Sequence, residues 1–375
     1  MSIFRAYDIR GIHPTEIHVD NAYLIGMAYS QFLKPKKVVI GMDLRKSSKA
    51  IHDAFVKGLR DSGVDVTSIG ACTSPMLYFA GSHYGFDGAV MVTASHLPGH
   101  FNGLKLCREH AIALSGPTGI YQIEKMVQYP LFPIVKKKGK LTKKSIKKDY
   151  HHYLRRLAKK TKLKIIVDCG NGMGYLDTQL LRKIADVTTL YEKPNMTFPN
   201  HVADPNHKTS HVTIMKLMKR KRFDLGIIFD GDCDRVGFVD EKGKFVPKDH
   251  VAGMLADYLL SKKEYQNKKQ KIILDVRSGL VVHELIKKHK GTVLLSKAGH
   301  SFFQQKMFKT NALFAGEKSG HYFFRSFHST DNAVLAVIKM LNHLHESKKP
   351  CSELAAPFEK YFQIPREVQG TKPAI

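Results

Sequence analysis

The stretch DLGIIFDGDCDR, from Asp224 to Arg235, joins a short apolar run to a loop that carries three aspartates. The apolar run has no helical spacing and predicts a strand that is buried on both faces of a parallel sheet. Asp230, Asp232 and Asp234 follow it at alternate positions, and Gly231 allows a tight backbone among them. Functional residues of α/β proteins lie just past the carboxyl ends of such strands. The stretch therefore predicts an α/β fold with a site at this strand end.

Other parts of the chain repeat this pattern of apolar runs that end in turn or loop residues. The runs are KKVVIGMD (Lys36 to Asp43), DGAVMVTA (Asp87 to Ala94), LKIIVDCGNG (Leu163 to Gly172) and QKIILDV (Gln270 to Val276). Between them, the segment from Ser48 to Gly63 has apolar residues at helical spacing, which predicts a helix. The basic stretch from Lys136 to Lys148 and the turn from Asp240 to Phe245 mark two boundaries. The chain is thus divided into three α/β units with mainly parallel sheets.

The composition is that of a globular protein. Of the 375 residues, 43% are hydrophobic and 25% are charged, and no apolar stretch approaches the roughly 20 residues of a membrane-spanning helix. Arg5, Asp8 and Arg10 interrupt the segment where a signal peptide needs an apolar core. The five cysteines are scattered without a C-x-x-C motif, which indicates neither a disulfide framework nor a zinc site. We expect a soluble cytoplasmic protein with reduced thiols and no membrane partner.

The net charge is strongly positive. Sixty Lys and Arg residues against 33 Asp and Glu residues give a formal charge of +27, which favours an anionic partner such as nucleic acid or a phosphorylated metabolite. The lysines are densest from Lys136 to Lys164 and from Met215 to Arg222, without interleaved aromatic residues or a nucleic-acid motif. We expect solvated helix faces there and no nucleic-acid partner.

The three aspartates after the apolar run are candidates for a metal site. Converging carboxylates repel one another unless a cation neutralises them, and oxygen ligands without His or Cys suit Mg²⁺. A calcium-binding EF-hand loop would also place acids at these positions, with Glu241 as its twelfth residue. Arg235, however, stands where that loop needs glycine, and a strand rather than a helix precedes it. A solvated acidic turn without function is the remaining alternative.

Ser95 and His96 are neighbours in VTASHLPGHFNGLKL (Val92 to Leu106), where an apolar run gives way to a loop. The context is not G-x-S-x-G, so the nucleophile elbow of serine hydrolases is not matched. His96 and His100 are separated by a Pro-Gly pair, which disfavours the helix of a zinc-binding histidine pair. Two further polar loops are GEKSGH (Gly316 to His321) and KAGH (Lys297 to His300). With the aspartates, these loops supply the hydroxyl, metal ligands and cations that phosphoryl transfer needs.

Taken together, the motifs resemble those of the α-D-phosphohexomutase superfamily, most closely its bacterial phosphomannomutase/phosphoglucomutase group. The order and spacing agree through almost the whole chain. The motifs are FRAYDIRG (Phe4 to Gly11), GMDLRKSS (Gly41 to Ser48), SPMLYFA (Ser74 to Ala80), TASHLPGHFNGLK (Thr93 to Lys105), VDCGNGMG (Val167 to Gly174), FPNHVADP (Phe198 to Pro205), DGDCDR and GEKSGH.

The resemblance implies three similar α/β domains, with mixed and mainly parallel sheets, around a central cleft. We expect them at residues 1–142, 143–247 and 248–358, with the phosphoserine loop, the metal loop and the sugar loop respectively. The family has a smaller fourth domain, which this chain is expected to lack, so that 359–375 are a stub of the linker to it.

The resemblance also implies roles for individual residues. The expected catalytic residues are Ser95 as the phosphoserine, His96, Arg10, Lys105 and His300. The expected metal ligands are Ser95, Asp230, Asp232 and Asp234, with Mg²⁺ as the ion. The expected substrate-binding residues are Arg235, Arg277, Lys297, Glu317, Ser319 and His321. The implied reaction interconverts the 1- and 6-phosphates of mannose or glucose, with the hexose 1,6-bisphosphate as intermediate and activator.

The sequence departs from the family pattern at three places. Leu97 stands where the family usually has Asn, and Arg277 stands where the closest group commonly has Lys. With the fourth domain, we expect the chain to lack the R-x-S-x-T loop that in the family clamps the phosphate that is not transferred. Two alternatives to a mutase therefore stay open. They are a catalytically impaired or truncated relative that binds sugar phosphates or another protein, and a nucleic-acid-binding protein.

Overall fold

The computed structural model describes residues 2–133, 135–220, 222–266 and 268–361. They form three α/β units in succession, each built around one mixed β-sheet. Within these residues, no helix combines the length and the hydropathy that a membrane crossing requires.

The first unit has a sheet with the strand order β1-β5-β4-β2-β3-β6. Its strands are β1 (Ile9–Ile12), β2 (Lys37–Met42), β3 (Asp65–Ala71), β4 (Gly88–Val92), β5 (Phe101–Arg108) and β6 (Leu141–Lys143). Its helices are α1 (Val19–Leu33), α2 (Ser48–Asp61), α3 (Ser74–His83) and α4 (Tyr121–Gln128). β6 pairs with β3, so this sheet extends to Lys143.

The second unit has the strand order β11-β10-β9-β7-β8. Its strands are β7 (Lys164–Asp168), β8 (Asp186–Leu190), β9 (Leu225–Phe229), β10 (Val236–Val239) and β11 (Phe245–Val246). Its helices are α5 (Lys147–Arg155), α6 (Tyr175–Leu181) and α7 (Thr209–Arg220).

The third unit has the strand order β13-β12-β14-β15-β16. Its strands are β12 (Lys271–Asp275), β13 (Thr292–Ser296), β14 (Phe314–Gly316), β15 (Tyr322–Phe324) and β16 (Thr330–Asp331). Its helices are α8 (Lys248–Leu260), α9 (Leu280–Lys288), α10 (His300–Thr310), α11 (Ala333–Ser347) and α12 (Cys351–Ala355). Most of the expected linker stub, residues 362–375, lies outside the described part of the chain.

The three sheets share one plan, in which a parallel centre is followed by an antiparallel hairpin. The central strands β2, β7 and β12 pair in parallel with both neighbours. The next strands, β4, β9 and β14, then turn back antiparallel into β5, β10 and β15. The α/β class with mixed sheets is thus confirmed, although the antiparallel hairpins leave the parallel pairs only a narrow majority.

This shared plan positions the functional loops. Ser95 lies between β4 and β5, the three aspartates lie between β9 and β10, and Glu317 to His321 lie between β14 and β15. The three loops occupy the same place in three similar sheets. One continuous cluster of buried apolar side chains, with Phe79, Phe229 and Phe314 among them, connects the units. Packing between the units therefore brings the three loop ends toward one another.

The strands and the helix expected from the sequence are all present. The five apolar runs form β2, β4, β7, β9 and β12, and the segment that begins at Ser48 forms α2. Ser47 precedes the first residue of α2, but its side chain makes no capping hydrogen bond to the helix. Its hydroxyl instead accepts a hydrogen bond from Asn102 Nδ2 at 2.8 Å.

Candidate active site

A cleft of about 500 Å³ lies where the three loops meet. Its lining includes Ser95 and Lys105 from the first unit, Asp234 from the second, and Glu317 and His321 from the third. A larger cavity of about 680 Å³ elsewhere is lined mainly by residues around Lys160 and Lys348. We place the site in the smaller cleft because it gathers a hydroxyl, acids and buried cations.

Ser95 is 2% exposed and points at the aspartate loop. Its Oγ donates a hydrogen bond to Asp230 Oδ2 at 2.9 Å and lies 3.5 Å from Arg235 Nη2. The His96 ring nitrogen Nδ1 lies 3.4 Å from the same oxygen. Ser95 has a φ of 52°, in the left-handed region that costs a non-glycine residue about 1–3 kcal/mol. The surrounding contacts must therefore hold this backbone in place.

Arg45 provides most of that support. Its side chain is buried and its Nε donates to Asp43 Oδ2 at 3.0 Å. Its two terminal nitrogens donate to four backbone carbonyls of the serine loop at 2.6–3.0 Å. The carbonyls belong to Ser95, Leu97, Pro98 and Phe101. The planar guanidinium thus fixes the loop from inside, which a lysine could not do with the same geometry.

The aspartate loop approaches the serine loop closely. A side chain at Gly231 would place its Cβ 2.3 Å from the Ser95 carbonyl oxygen, so only glycine allows this contact. The glycine that the sequence indicated as a tight-turn residue is thus required for the approach of two loops from different units.

The three aspartates are buried and converge as the spacing predicted. One ligand oxygen from each lies within 4.8 Å of the others. Burial and the charge of Asp234 raise the pKa of Asp230 to about 7. Burial also opposes ionisation of Asp232 and Asp234, but Lys105 outweighs it and lowers the pKa of both carboxyls. Lys105 therefore favours the ionised forms of Asp232 and Asp234 in spite of their burial.

Lys105 compensates part of this charge. Its Nζ donates to Asp232 Oδ2 and to Asp234 Oδ2, each at 2.5 Å, and to Ser74 Oγ at 3.2 Å. Although burial disfavours the ammonium, the two aspartates raise the pKa of Lys105. Asp232 Oδ1 is buried and accepts no hydrogen bond within the described residues. An oxygen-only set of three carboxylates with an unused buried oxygen fits a hard cation such as Mg²⁺.

Arg235 and His96 both lie next to the Ser95 hydroxyl. Arg235 Nε donates to Asp230 Oδ2 at 3.0 Å, and its Nη1 donates to Asp204 Oδ1 at 3.4 Å. His96 Nε2 lies 4.0 Å from Asp204 Oδ2. Burial, followed by the charge of Arg235, lowers the pKa of His96 to about 3. His96 is therefore neutral at pH 7 and leaves the positive charge near Ser95 to the arginine.

The loop from Glu317 to His321 forms the wall that belongs to the third unit. Glu317 Oε1 accepts the Gly299 N–H at 2.8 Å, and its Oε2 accepts from His321 Nδ1 at 3.1 Å. Ser319 Oγ lies 2.8 Å from the same nitrogen. Burial disfavours charge on both partners, but the pair lowers the pKa of Glu317 to about 2 and, with Asp234, raises that of His321 to about 10. Both groups are charged at pH 7.

His300 begins α10 and lies beside His321, with 5.8 Å between the ring centroids. Its Nε2 is buried and has no hydrogen-bond partner within the described residues. Burial, followed by the charge of His321, lowers the pKa of His300 to about 3. A neutral imidazole with an unused nitrogen thus borders the cleft.

The remaining predicted residues differ in their placement. Arg10 and Arg277 line the cleft, where Arg10 Nε pairs with Asp8 at 2.6 Å and Arg277 Nη2 with Asp275 at 2.5 Å. Lys297 is exposed, and its Nζ lies 3.9 Å from the centroid of the Phe302 ring. The structure therefore does not bring Lys297 to the other site residues.

Four residues of the site were not assigned a role from the sequence. Arg45, Ser74 and Asp204 belong to GMDLRKSS, SPMLYFA and FPNHVADP, so motif membership was the available signal. Asp331, which is buried 4.0 Å from His321 Nε2, lies in no quoted motif. No signal in the sequence indicated it.

The comparisons with known proteins agree with this architecture. Family models described as phosphoglucomutase/phosphomannomutase, alpha/beta/alpha domains I, II and III, match residues 1–130, 144–243 and 247–361. A phosphomannomutase of Escherichia coli is 34% identical over 98% of this chain and 83% of its own length. A phosphoglucomutase of Neisseria meningitidis is 34% identical over 94% of this chain and 77% of its own length.

Solved structures show the same likeness. A phosphoglucomutase/phosphomannomutase family protein of Burkholderia thailandensis superposes with a TM-score of 0.89 at 30% identity, over 95% of this chain and 79% of that one. The N-acetylphosphoglucosamine mutase of Aspergillus fumigatus shares the fold alone, with a TM-score of 0.60 at 13% identity over 94% of this chain and 79% of that one. The domain matches and the full-length relatives together show that the chain belongs to the phosphoglucomutase/phosphomannomutase family of the α-D-phosphohexomutase superfamily.

Proposed function

We propose that this chain interconverts the 1- and 6-phosphates of mannose and glucose through a phosphorylated Ser95 and a hexose 1,6-bisphosphate. The observation that carries the proposal is the position of Ser95 Oγ, 2.9 Å from Asp230 Oδ2 and 3.5 Å from Arg235 Nη2, in a cleft whose other wall holds Glu317. A phosphate on this oxygen would lie among groups that neutralise charge, which is most of what phosphoryl transfer asks of a protein.

In the first step, the phosphorus of phosphorylated Ser95 bonds to a free hydroxyl oxygen of the sugar phosphate while its bond to Ser95 Oγ breaks. The hydroxyl proton leaves, and a proton reaches the Ser95 oxygen. His300 is our candidate for the proton acceptor because it lines the cleft and its buried Nε2 has no hydrogen-bond partner within the described residues. After the bisphosphate turns round in the cleft, the reverse transfer returns a phosphate to Ser95 and releases the isomeric sugar phosphate.

Several cations of the chain would balance the phosphate charge during these steps. Arg235 already contacts the Ser95 oxygen, Lys105 lies between Asp232 and Asp234, and Arg10 lines the same cleft. Asp230, Asp232, Asp234 and phosphorylated Ser95 would hold Mg²⁺, which when bound supplies further charge neutralisation to the transferring group. Fixed charges of this kind need little reorganisation as the reaction proceeds.

The opposite wall would hold the sugar. Glu317, ionised at pH 7, and Ser319 present oxygens to sugar hydroxyls, and His321 stands beside them with a positive charge. Arg277, which lines the cleft, is our candidate for the phosphate that is not transferred. The A. fumigatus N-acetylphosphoglucosamine mutase, which shares the fold, was solved in complex with GlcNAc-6P and magnesium. We further propose 1–142, 143–247 and 248–358 as the three domains.

A coupled mutase assay tests the proposal. Mannose 1-phosphate or glucose 1-phosphate is supplied with Mg²⁺ and catalytic 1,6-bisphosphate, and formation of the 6-phosphate is followed for the wild-type chain and for Ser95→Ala. We expect wild-type turnover and a loss of about a thousandfold or more in the variant. Equal rates for the two proteins would refute the phosphoserine role. Sugar-phosphate binding without turnover would instead favour a non-catalytic, ligand-binding relative.

A further inference from the structure

A second group of potential metal ligands lies behind the first, in the wall of the third unit. It consists of Asp234, His321 and Asp331, with one ligand atom from each within 4.8 Å of the others. His321 precedes β15, and Asp331 ends the neighbouring strand β16. Asp234 belongs to both groups, since its Oδ2 faces Lys105 whereas its Oδ1 lies 3.4 Å from His321 Nε2. The two oxygens of one carboxylate thus face two different sets of groups.

The orientation of His321 suits a metal ligand. Its Nδ1 lies 3.1 Å from Glu317 Oε2 and 2.8 Å from Ser319 Oγ. Because an ionised carboxylate can only accept hydrogen bonds, this contact places the proton on Nδ1. Nε2 then points toward Asp234 Oδ1 and toward Asp331 Oδ2, which is 4.0 Å away. A carboxylate behind a histidine is the usual arrangement that orients a metal-binding imidazole.

The Asp331 carboxylate lies 4.0 Å from His321 Nε2, which is too far for a hydrogen bond. It is 1% exposed, and within the described residues neither of its carboxylate oxygens accepts a hydrogen bond. Asp234 Oδ1 is also buried, and its contact with His321 Nε2 is long, at 3.4 Å. Leaving such oxygens unsatisfied in the interior is costly, so a ligand that satisfies them would stabilise the folded chain.

We propose that Asp234, His321 and Asp331 form a second cation site, selective for a nitrogen-seeking ion such as Zn²⁺, with Asp234 shared between the two sites. Two ligand atoms on one tetrahedral zinc lie about 3.3 Å apart, given metal–ligand distances of about 2.0–2.1 Å. The 3.4 Å pair already meets this spacing, and the 4.0 Å pair needs a small side-chain shift. The imidazole nitrogen distinguishes this set from the oxygen-only aspartate loop, which suits Mg²⁺.

Occupancy of this site inhibits the mutase, an effect that rests on the proposed function. Zinc coordinates His321 Nε2 as the Nε2 proton is released to solvent, because a metal binds only the neutral imidazole. His321 and Asp234 both line the cleft. A zinc ion between them would engage His321 Nε2 and Asp234 Oδ1, so that these atoms could no longer contact the sugar phosphate. The chain would then respond to zinc and to magnesium in opposite directions.

The test counts the zinc ions that the full chain binds. Metal-free protein at about pH 8 competes for Zn²⁺ with a chromophoric chelator. We expect two ions per chain for the wild type and one each for Asp331→Asn, His321→Gln and Asp230→Asn. Asp177→Asn is the matched control, since Asp177 is buried, pairs with His151 and has an unpartnered oxygen but belongs to neither ligand group. A single ion in the wild type, or two in Asp331→Asn, would overturn the proposal.

An activity arm separates this site from the proposed function. With Mg²⁺ saturating, each protein is compared with itself in the presence and absence of Zn²⁺. Zinc should inhibit Asp331→Asn at least about tenfold more weakly than the wild type, because disturbing a metal site costs about 10–100-fold in affinity. Two zinc ions without mutase activity would keep the site and refute the function. Mutase activity with a single zinc ion would do the reverse.

Discussion

Asp230 and Asp331 are both buried carboxylates near strand ends, and each lies next to a residue that lines the cleft, but their surroundings differ. Asp230 accepts hydrogen bonds from Ser95 Oγ, from Arg235 Nε and from two backbone N–H groups. Asp331 accepts none within the described residues. We call the loops of Ser95 and Asp230 the serine side, and the wall of Glu317, His300 and Asp331 the Glu317 side.

The two sides therefore differ in how far their polar side chains are already held by hydrogen bonds within the chain. The serine side is held by the chain itself, through the Arg45 fork and the Lys105 bridge. On the Glu317 side, His300 Nε2 and both Asp331 oxygens keep unused hydrogen-bonding capacity. We therefore expect substitutions on the serine side to act on catalysis directly, and those on the Glu317 side to act on ligand binding and stability.

Asp230→Asn should have the largest effect. The substitution removes a charge that would hold the metal and leaves one acceptor oxygen where Asp230 has two, while Arg235 and Lys105 keep their positive charges. We expect kcat to fall about a thousandfold at any Mg²⁺ concentration, the upper range for loss of one preorganised electrostatic group. Asp240→Asn serves as the control, because Asp240 is a buried aspartate of the same unit that does not line the cleft. A kcat within tenfold of wild type, by the mutase assay, would contradict the account.

Arg45→Lys should come next. Lysine keeps the charge beside Asp43 but cannot donate to four carbonyls at once, so Ser95 would lose its fixed position. We expect kcat/KM to fall about a hundredfold, the order associated with misplacing a reacting group by about 1 Å. Arg60→Lys is the matched control, since Arg60 Nε donates to the single carbonyl of Gly139 away from the cleft. Equal effects of the two substitutions would show that the fork does not position the loop.

His300→Gln tests the Glu317 side through the pH dependence of stability. Burial lowers the pKa of His300 from 6.5 to about 3, so between these values the unfolded chain binds a proton that the folded chain does not. The stability that the neutral histidine contributes is complete above pH 6.5 and is lost as the pH falls toward 3. Between about pH 7 and pH 5 the loss from this group is about 2 kcal/mol.

The measurement is urea unfolding at both pH values. The decrease in the free energy of unfolding on acidification should be about 2 kcal/mol smaller in His300→Gln than in the wild type. His345→Gln changes an exposed histidine of α11, and its free energy of unfolding should decrease on acidification as much as that of the wild type. If His300→Gln also shows the wild-type decrease, His300 is not the buried neutral group that we describe.

Leu97→Asn should have the smallest effect. It installs the residue that the family usually has beside the serine, yet the Leu97 carbonyl already accepts from Arg45 Nη2 at 2.7 Å. Because the backbone contact does not depend on the side chain, we expect kcat/KM to change by less than about threefold. A gain of a hundredfold in the mutase assay would show that the side chain, rather than the Arg45 fork, limits the serine loop.

The sequence predicted the buried strands and the positions of the polar residues that follow them. The five apolar runs form strands, and Asp230, Asp232 and Asp234 converge because each lies just past β9. Ser95 lies in the equivalent loop of another sheet, so its proximity to Asp230 follows from the repeated plan once the units are packed. Strand ends could be predicted because an apolar run and the polar loop after it are neighbours in the sequence.

The remaining features depend on contacts between distant segments. Arg45 holds carbonyls about 50 positions later in the chain, and Asp331 faces a histidine from a neighbouring strand. The Lys297 ammonium lies over the Phe302 ring, a contact that the position of Lys297 in its motif does not indicate. The antiparallel hairpins were expected only through the family resemblance, which implied mixed sheets, because no apolar run was identified from the sequence at β5, β10 or β15.

The central claim is that Ser95 carries the phosphate on the serine side, and intact mass spectrometry tests it most directly. Purified wild-type chain, Ser95→Ala and Leu97→Asn are incubated with Mg²⁺ and glucose 1,6-bisphosphate, and the mass of each is measured before and after. We predict that the wild type and Leu97→Asn gain one phosphate, whereas Ser95→Ala gains none. A wild-type chain that stays unmodified, or a phosphate that persists in Ser95→Ala, would contradict the claim.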